Sequence, residues 1–133
     1  MIVDASVAFK WFADEEGSEQ ALALVLQGPL FAPTLLLSEV GNALWKKARR
    51  EQIDPGVSFE PELARLATII TLLDERLYVP RALTLACSLG HPVYDCVYLA
   101  LAEAENMPLI TADAKFLARL GESPWRDLAQ ALL

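Results

Sequence analysis

Short apolar runs that end in an acidic residue alternate along this chain with segments of helical periodicity. The run 1–3 leads directly to Asp4, and the run 108–111 leads to Asp113, each at the start of a helical pattern. Alternating strands and helices are typical of a parallel sheet with helices on both faces. The sequence therefore predicts an α/β fold with a central, mostly parallel sheet.

Four acids stand where strands end or helices begin. In a parallel α/β sheet, sites form beyond the carboxyl ends of the strands, which places Asp4 and Asp113 at one edge. Glu39 and Asp95 stand near the starts of two further helical patterns. Each acid alone also has a structural explanation: Asp113 as a helix cap, Asp95 as a first-turn acid favoured by the helix dipole, Glu39 as a surface residue and Asp4 as a turn former at a strand end. Together they would repel one another unless a cation joined them, and a hard divalent cation takes oxygen ligands. We therefore interpret them as the metal site of an enzyme acting on phosphate esters.

The periodicity also predicts the remaining elements. Strands are expected at 1–5, 30–32, 77–79 and 108–111, and helices at 7–13, 18–27, 34–50, through 63–73, and at 81–89, 92–106 and 113–120. Asp54-Pro55-Gly56 predicts a turn. The 133 residues fit a single domain, 1–133, with a core of about 1–120 and a C-terminal tail at 121–133, in which 123–126 is either a capped short helix or part of the tail.

Composition bears on partners and location. Hydrophobic residues make up 54% of the chain, so part of the surface is expected to be covered by a second copy or another protein. Cys87 and Cys96 are expected to be buried thiols in a reducing cytosol. Asp4 breaks the pattern of a signal peptide, and the apolar stretch 63–73 is too short to span a bilayer. We expect a soluble, cytoplasmic protein with no membrane association.

The charge is unevenly distributed. The net charge of −7 is the opposite of that of most nucleic-acid binders, although the local field decides what a phosphate meets. A basic cluster is formed by Lys46, Lys47, Arg49 and Arg50. It is either a solvated helix end favoured by the helix dipole or a set of substrate contacts. Trp45, beside it, is a candidate base-stacking residue, with packing as the alternative.

Four segments of the chain carry a resemblance to a known family. They are Ile2-Val3-Asp4-Ala5-Ser6, the helix 38–44, the run 94–102 and Leu109-Ile110-Thr111-Ala112-Asp113. In this order they look like the motifs of the PIN-domain family, and within it they are most similar to VapC-type toxins of bacterial toxin–antitoxin pairs. The resemblance covers roughly residues 1–120.

The resemblance implies a three-layer α/β/α domain and a magnesium- or manganese-dependent endoribonuclease, the toxin of a toxin–antitoxin pair. The positions that match the family's catalytic and metal-site acids are Asp4, Glu39, Asp95 and Asp113; Ser6, Thr111 and Asn42 match supporting polar positions. A metal-activated water would attack the phosphorus and leave a 5′-phosphate and a 3′-hydroxyl. An antitoxin would occupy the acidic pocket. The family's further acid has no counterpart in Ala114-Lys115-Phe116, which departs from a complete second metal site.

Other functions use the same residues. The acids would equally serve a nuclease acting on DNA or on other phosphodiesters, and a noncatalytic interaction module would keep them for structure alone. A phosphoacceptor receiver domain is disfavoured, because it needs an acidic pair where Asp4 is followed by Ala5-Ser6. His91, the only histidine, is interpreted as a loop or helix-start residue in preference to a general base.

Overall fold

The computed structural model describes residues 1–51 and 59–133. The strands are β1 (Ile2–Val3), β2 (Leu30–Pro33), β3 (Ile70–Leu73), β4 (Leu109–Thr111) and β5 (Ala129–Ala131). The helices are α1 (Ala5–Ala8), α2 (Ser18–Gln27), α3 (Leu35–Glu51), α4 (Glu60–Ile69), α5 (Val79–Leu89), α6 (Val93–Glu105) and α7 (Ala114–Leu120). Short 3₁₀ turns occupy Phe9–Trp11, Glu75–Leu77 and Arg126–Leu128.

The strands form one parallel sheet in the order β3-β2-β1-β4-β5, with helices on both faces. The chain builds outward from β1 through β2 to β3 and then returns to the other side of β1 to add β4 and β5. The strand order therefore reverses between β1 and β4, and such a switch point opens a crevice at the carboxyl ends of the strands. Ile2 pairs with Leu109 and Val3 with Ile110, so the residues that follow both strands emerge side by side.

The helix α6 lies at the centre of the fold. Every residue from Cys96 to Ala102 is buried, and the helix contacts β1, β2 and β4. A helix that is apolar all round is stable only when it is covered on all sides, which explains its position between the sheet and α5. Asp95 lies in its first turn, just before the buried run begins.

Two secondary-structure predictions between α4 and α5 are wrong. The helix expected through 63–73 ends at Ile69, and Ile70–Leu73 is strand β3, paired with β2. The apolar run does not change its composition at that boundary, so periodicity alone gave no signal. The strand expected at 77–79 is the end of a 3₁₀ turn followed by α5, whose first turn contains Pro80. Proline suits the first turn of a helix because its missing N–H would be unpaired there.

Other differences are smaller. The helix expected at 7–13 is the four-residue α1 followed by a 3₁₀ turn. The segment 121–133 contains a 3₁₀ turn and then β5, which pairs with β4 at the edge of the sheet and was not predicted. Cys96 is buried as expected, but Cys87 is exposed on α5. The predicted turn at 54–56 lies outside the described residues.

Among the helices that the structure describes, none has by itself the length and apolar character needed to cross a membrane; α5 and α6 pass such a test only as a pair, bent by 114° at the break between them.

Candidate functional site

Asp4 follows β1 and is buried at the carboxyl edge of the sheet. Within the described residues, Asp4 and Thr111 are the buried polar side chains. The Oδ1 atom of Asp4 accepts hydrogen bonds from the Ser6 hydroxyl at 2.5 Å and from the backbone N–H of Val7 at 3.1 Å, which caps α1. Burial raises the pKa of Asp4 to about 6, and the negative charge of Asp95 adds to this against the hydrogen bonds that stabilise the carboxylate.

The hydroxyl groups of Ser6 and Thr111 join the ends of β1 and β4. Ser6 Oγ accepts a hydrogen bond from the backbone N–H of Ala112 at 2.9 Å while it donates to Asp4. Thr111 Oγ1 lies 3.4 Å from Ser6 Oγ and accepts from the backbone N–H of Asp113 at 3.0 Å. The Asp4 carboxylate is therefore held through groups on the neighbouring strand.

Glu39 reaches the same edge from α3. Its Oε1 atom accepts a hydrogen bond of 2.8 Å from the hydroxyl of Tyr98, a residue of α6 that is almost fully buried. Burial, with the charges of Asp95 and Asp4 acting in the same direction and the hydrogen bond from Tyr98 opposing them, raises the pKa of Glu39 to about 7. Burial, with the Glu39 charge, also raises the pKa of Tyr98, which keeps the phenol protonated as the donor.

Asp95 lies in the first turn of α6 and contacts His91, a residue that the sequence interpretation left outside the site. His91 Nε2 lies 2.5 Å from Asp95 Oδ2, and the imidazole packs against the ring of Phe116 with 4.9 Å between ring centroids. Only 13% of the His91 side chain is exposed. His91 lies in the loop before α6, one of the two positions predicted for it, but its side chain also fixes one oxygen of a candidate ligand. The spacing of four residues to Asp95 was the available signal.

Asp113 is a helix cap at this edge. Its Oδ1 atom accepts hydrogen bonds from the backbone N–H groups of Lys115 at 2.9 Å and Phe116 at 3.0 Å. The charge of Asp113 is not among those that shift the pKa values of Asp4 and Glu39. The structure thus couples Asp4, Glu39 and Asp95 electrostatically. Asp113 follows β4, and its carboxylate is bound to the first turn of its own helix.

These acids offer the oxygen ligands that a divalent cation binds, but their side chains do not converge on one point. Their donors are all oxygens, which hard cations prefer, and the charges that shift the pKa values of Asp4 and Glu39 are all negative. As placed, no three His, Cys, Asp or Glu side chains in 1–51 and 59–133 form a ligand cluster. Each of the three coupled carboxylates is instead turned to its own hydrogen-bond partner. Side-chain rotations are needed to bring them to one ion.

The remaining predicted residues lie on α3 beyond Glu39. Asn42 is exposed one turn after Glu39. Lys47 forms an ion pair with Glu51 at 2.6 Å, whereas the Arg49 guanidinium lies over the Trp45 ring at 4.8 Å from its centroid. Lys46 and Arg50 are exposed. The four cations therefore divide into one that is held by an acid on the same helix and three on the exposed surface.

Comparison with known proteins identifies relatives of this chain. Residues 1–122 match the PIN domain. Ribonuclease VapC1 of Mycobacterium tuberculosis is 36% identical over 128 residues, which cover 90% of each chain. The crystal structure of PAE2754 from Pyrobaculum aerophilum superposes with a TM-score of 0.73 at 24% identity, over 98% of this chain and 87% of the other. A chain from a toxin–antitoxin complex of Klebsiella pneumoniae superposes with a TM-score of 0.68 at 15% identity, over 99% and 97% of the two chains. The two structures share the fold.

Proposed function

Because this chain belongs to the PIN-domain family, we propose that it is a divalent-metal-dependent endoribonuclease, the toxin of a toxin–antitoxin pair. The observation that carries the proposal is the set of mutually coupled carboxylates Asp4, Glu39 and Asp95 at the switch point of the sheet. Such a set is unfavourable for the folded chain alone, and a bound cation would make it favourable. The ribonuclease name of the Mycobacterium tuberculosis relative supports RNA as the substrate.

In this proposal the four acids Asp4, Glu39, Asp95 and Asp113 hold Mg²⁺ or Mn²⁺. A bound cation of this kind supplies positive charge that favours deprotonation of water and stabilises the charge developing on a phosphate. The protein's own groups position these ligands. Ser6 fixes Oδ1 of Asp4, Tyr98 fixes Oε1 of Glu39, and His91 fixes Oδ2 of Asp95.

The reaction is hydrolysis of a phosphodiester bond. The oxygen of water forms the new bond to phosphorus, the bond from phosphorus to the 3′ oxygen breaks, and that oxygen takes a proton. The products carry a 5′-phosphate and a 3′-hydroxyl. No side chain of the protein needs to act as a nucleophile, and burial raises the pKa of the nearby Cys96 thiol to about 11, which keeps it protonated and inert.

The test compares a single-stranded RNA with DNA of the same sequence, with Mg²⁺, with Mn²⁺ and with a chelator. We expect cleavage of RNA that needs the metal and leaves 5′-phosphate ends that can be ligated. Asp4→Asn and Asp95→Asn should lose it, whereas Asp74→Asn, a surface acid bound to Arg76, should retain it. Undiminished cleavage by both site variants would refute the assignment of the acids. Preferred cleavage of DNA would show that DNA, and not RNA, is the substrate.

The proposal includes two protein partners, a second copy and an antitoxin, in the cytoplasm. Exposed leucines support an interface: Leu22 and Leu26 on α2 are 62% and 90% exposed, and Leu83 on α5 is 60% exposed. A chain with this fold occurs in the Klebsiella pneumoniae complex. Sedimentation at micromolar concentration tests the homodimer, and a monodisperse monomer would contradict it.

A further inference from the structure

The C-terminal half of α3 concentrates the positive charge of an acidic protein. The chain has a net charge of −7 and 11 Lys and Arg residues, of which Lys46, Lys47, Arg49 and Arg50 are neighbours. Three cations outside this cluster are paired with acids, Lys10 with Glu15, Arg76 with Asp74 and Arg81 with Glu103, and the other four are dispersed along the chain at 65, 115, 119 and 126. A polyanion that approaches this protein is therefore attracted to the basic part of α3 more than to the acidic surface around it.

The cations of α3 are in line with the candidate site. Lys46 and Arg50 follow Glu39 by 7 and 11 residues, which is about two and three turns of helix, so the three residues share one face. At about 1.5 Å per residue, the cations lie about 10 and 16 Å along the helix axis from Glu39. Asn42 is exposed between Glu39 and Lys46. The face thus runs from a carboxylate of the site, past an amide, to two exposed cations.

An aromatic platform accompanies this face. Trp45 is 48% exposed, and the Arg49 guanidinium lies 4.8 Å from the centroid of its ring, which holds the indole in place. Among the described residues, Lys46, Arg49 and Arg50 line a surface cavity of about 370 Å³. Lys47 belongs to neither feature, because it is bound to Glu51 at 2.6 Å and only 19% of its side chain is exposed.

We propose that this surface, the α3 track (Asn42, Trp45, Lys46, Arg49 and Arg50), binds a single strand of RNA as it leaves the cleavage site. The inference rests on the proposed ribonuclease function and adds where the substrate lies. The cations contact successive phosphates, which position a strand without reading its sequence. Trp45 stacks on one unpaired base, which an acidic peptide would not offer.

Lys46→Gln, Arg49→Gln and Arg50→Gln test the phosphate contacts, with Lys47→Gln as the matched control on the same helix. Binding of a labelled single-stranded RNA is followed by fluorescence anisotropy at several salt concentrations, in the Asp95→Asn background so that the strand stays intact. Each of the first three changes should weaken binding and lower the slope of log K against log salt by about 0.7. Lys47→Gln should leave the slope unchanged.

Trp45→Ala tests the base platform. Loss of one stacked base should weaken RNA binding about 5- to 150-fold, while Trp45→Tyr should restore most of the affinity. In the active protein, Trp45→Ala and the three changes at Lys46, Arg49 and Arg50 should raise KM and leave kcat at saturating RNA unchanged. A drop in kcat alone would place Trp45 elsewhere in the mechanism and overturn the platform.

The outcomes separate the track from the nuclease activity. If the wild-type protein cleaves RNA but the track variants keep its salt slope and KM, the track is refuted and the ribonuclease proposal stands. If the wild-type protein binds RNA through the track without cutting it, the track stands and the ribonuclease proposal fails. Variants that lose binding of a poly-glutamate peptide while RNA binding is unchanged would assign the surface to an acidic protein partner and refute the track.

Discussion

The protein holds two sets of acids in opposite ways. Asp4 and Glu39 lie at the sheet edge, whereas Asp74 and Glu103 lie on the surface. The surface pair is bound by arginines: Arg76 Nη2 lies 2.6 Å from Asp74, and Arg81 Nε lies 2.7 Å from Glu103. Hydrogen bonds from these arginines lower the pKa of both acids. Burial and neighbouring negative charges instead raise the pKa to about 6 for Asp4 and about 7 for Glu39.

The contrast shows which carboxylates the folded chain accommodates at no cost. Asp74 and Glu103 each lie beside a cation and are partly in water. Acids that are buried among one another reduce stability as soon as they ionise, so their arrangement suits a ligand of opposite charge better than it suits the empty protein. This argues against the noncatalytic module as an account of the sheet edge.

The largest expected effect is on catalysis. Asp4→Asn and Asp95→Asn should each lower the rate of RNA cleavage by about a hundredfold or more, because in the proposed mechanism each would remove a negative ligand of the metal. Asp74→Asn, which removes the same charge from the surface, should change the rate less than twofold. Equal losses in all three variants, measured under single-turnover conditions, would erase the distinction between the two kinds of acid.

The second effect is on the stability of the metal-free protein against pH. The raised pKa of Asp4 stabilises the fold by a contribution that is fully present below about pH 4 and is lost as the pH rises through about 6. For Asp4, the shift from the ordinary pKa of 3.8 corresponds to about 3 kcal/mol of unfolding free energy. The raised pKa of Glu39 makes a contribution of the same sign, which is lost as the pH rises through about 7. Asp4→Asn, which keeps an oxygen acceptor for Ser6 and Val7, should therefore unfold later in urea at pH 7.5 and together with the wild type at pH 4. A gain that is independent of pH would contradict the burial of an ionised carboxylate.

The third effect concerns His91. If its imidazole orients Asp95, then His91→Ala should weaken Mn²⁺ binding by about tenfold, the usual cost of removing a group that fixes a metal ligand. His91→Gln, which restores a hydrogen-bond donor, should recover part of that affinity. The readout is the dissociation constant in calorimetry, with circular dichroism to verify the fold. Unchanged affinity in His91→Ala would show that the contact with Asp95 is structural only.

The smallest expected effect concerns the ion pair between Glu103 and Arg81 on the surface. Glu103→Gln should lower the free energy of unfolding by less than about 1 kcal/mol at pH 7, because Glu103 and Arg81 are partly exposed and screened by solvent. The lowered pKa of Glu103 makes this contribution present above its ordinary pKa and lost as the pH falls, the reverse of Asp4. Urea unfolding at pH 7 and pH 3 measures it. A larger loss at low pH would contradict the pairing.

The sequence predicted the elements whose boundaries have a chemical marker. Gly28 ends α2, Gly90 ends α5 with a positive φ of 62°, and Asp113 caps α7. No such marker separates α4 from β3, where the apolar run continues from Ile69 into Ile70. Strand β5 has one buried residue, Ala129, and exists because β4 offers it a free edge. Pairing partners of this kind are not visible in a local pattern.

The sequence predicted a set of candidate acids, whose metal-binding role stays a prediction, and it gave few of their contacts. The acids follow from their places at strand ends and helix starts, and adjacent parallel strands put Ser6 beside Ala112. The partners of the acids come from distant parts of the chain: Tyr98 lies on a helix read as core, and His91 in a loop. Their roles depend on which way each side chain turns, which periodicity does not report.

The most direct test of the coupled acids is titration of the metal-free protein with Mn²⁺ at pH 7.5, by calorimetry, with Asp95→Asn and Asp74→Asn measured alongside. We predict a saturable binding heat for the wild type and for Asp74→Asn, and none for Asp95→Asn. No heat from the wild type, or the same heat from Asp95→Asn, would contradict a cation held by the acids at the sheet edge.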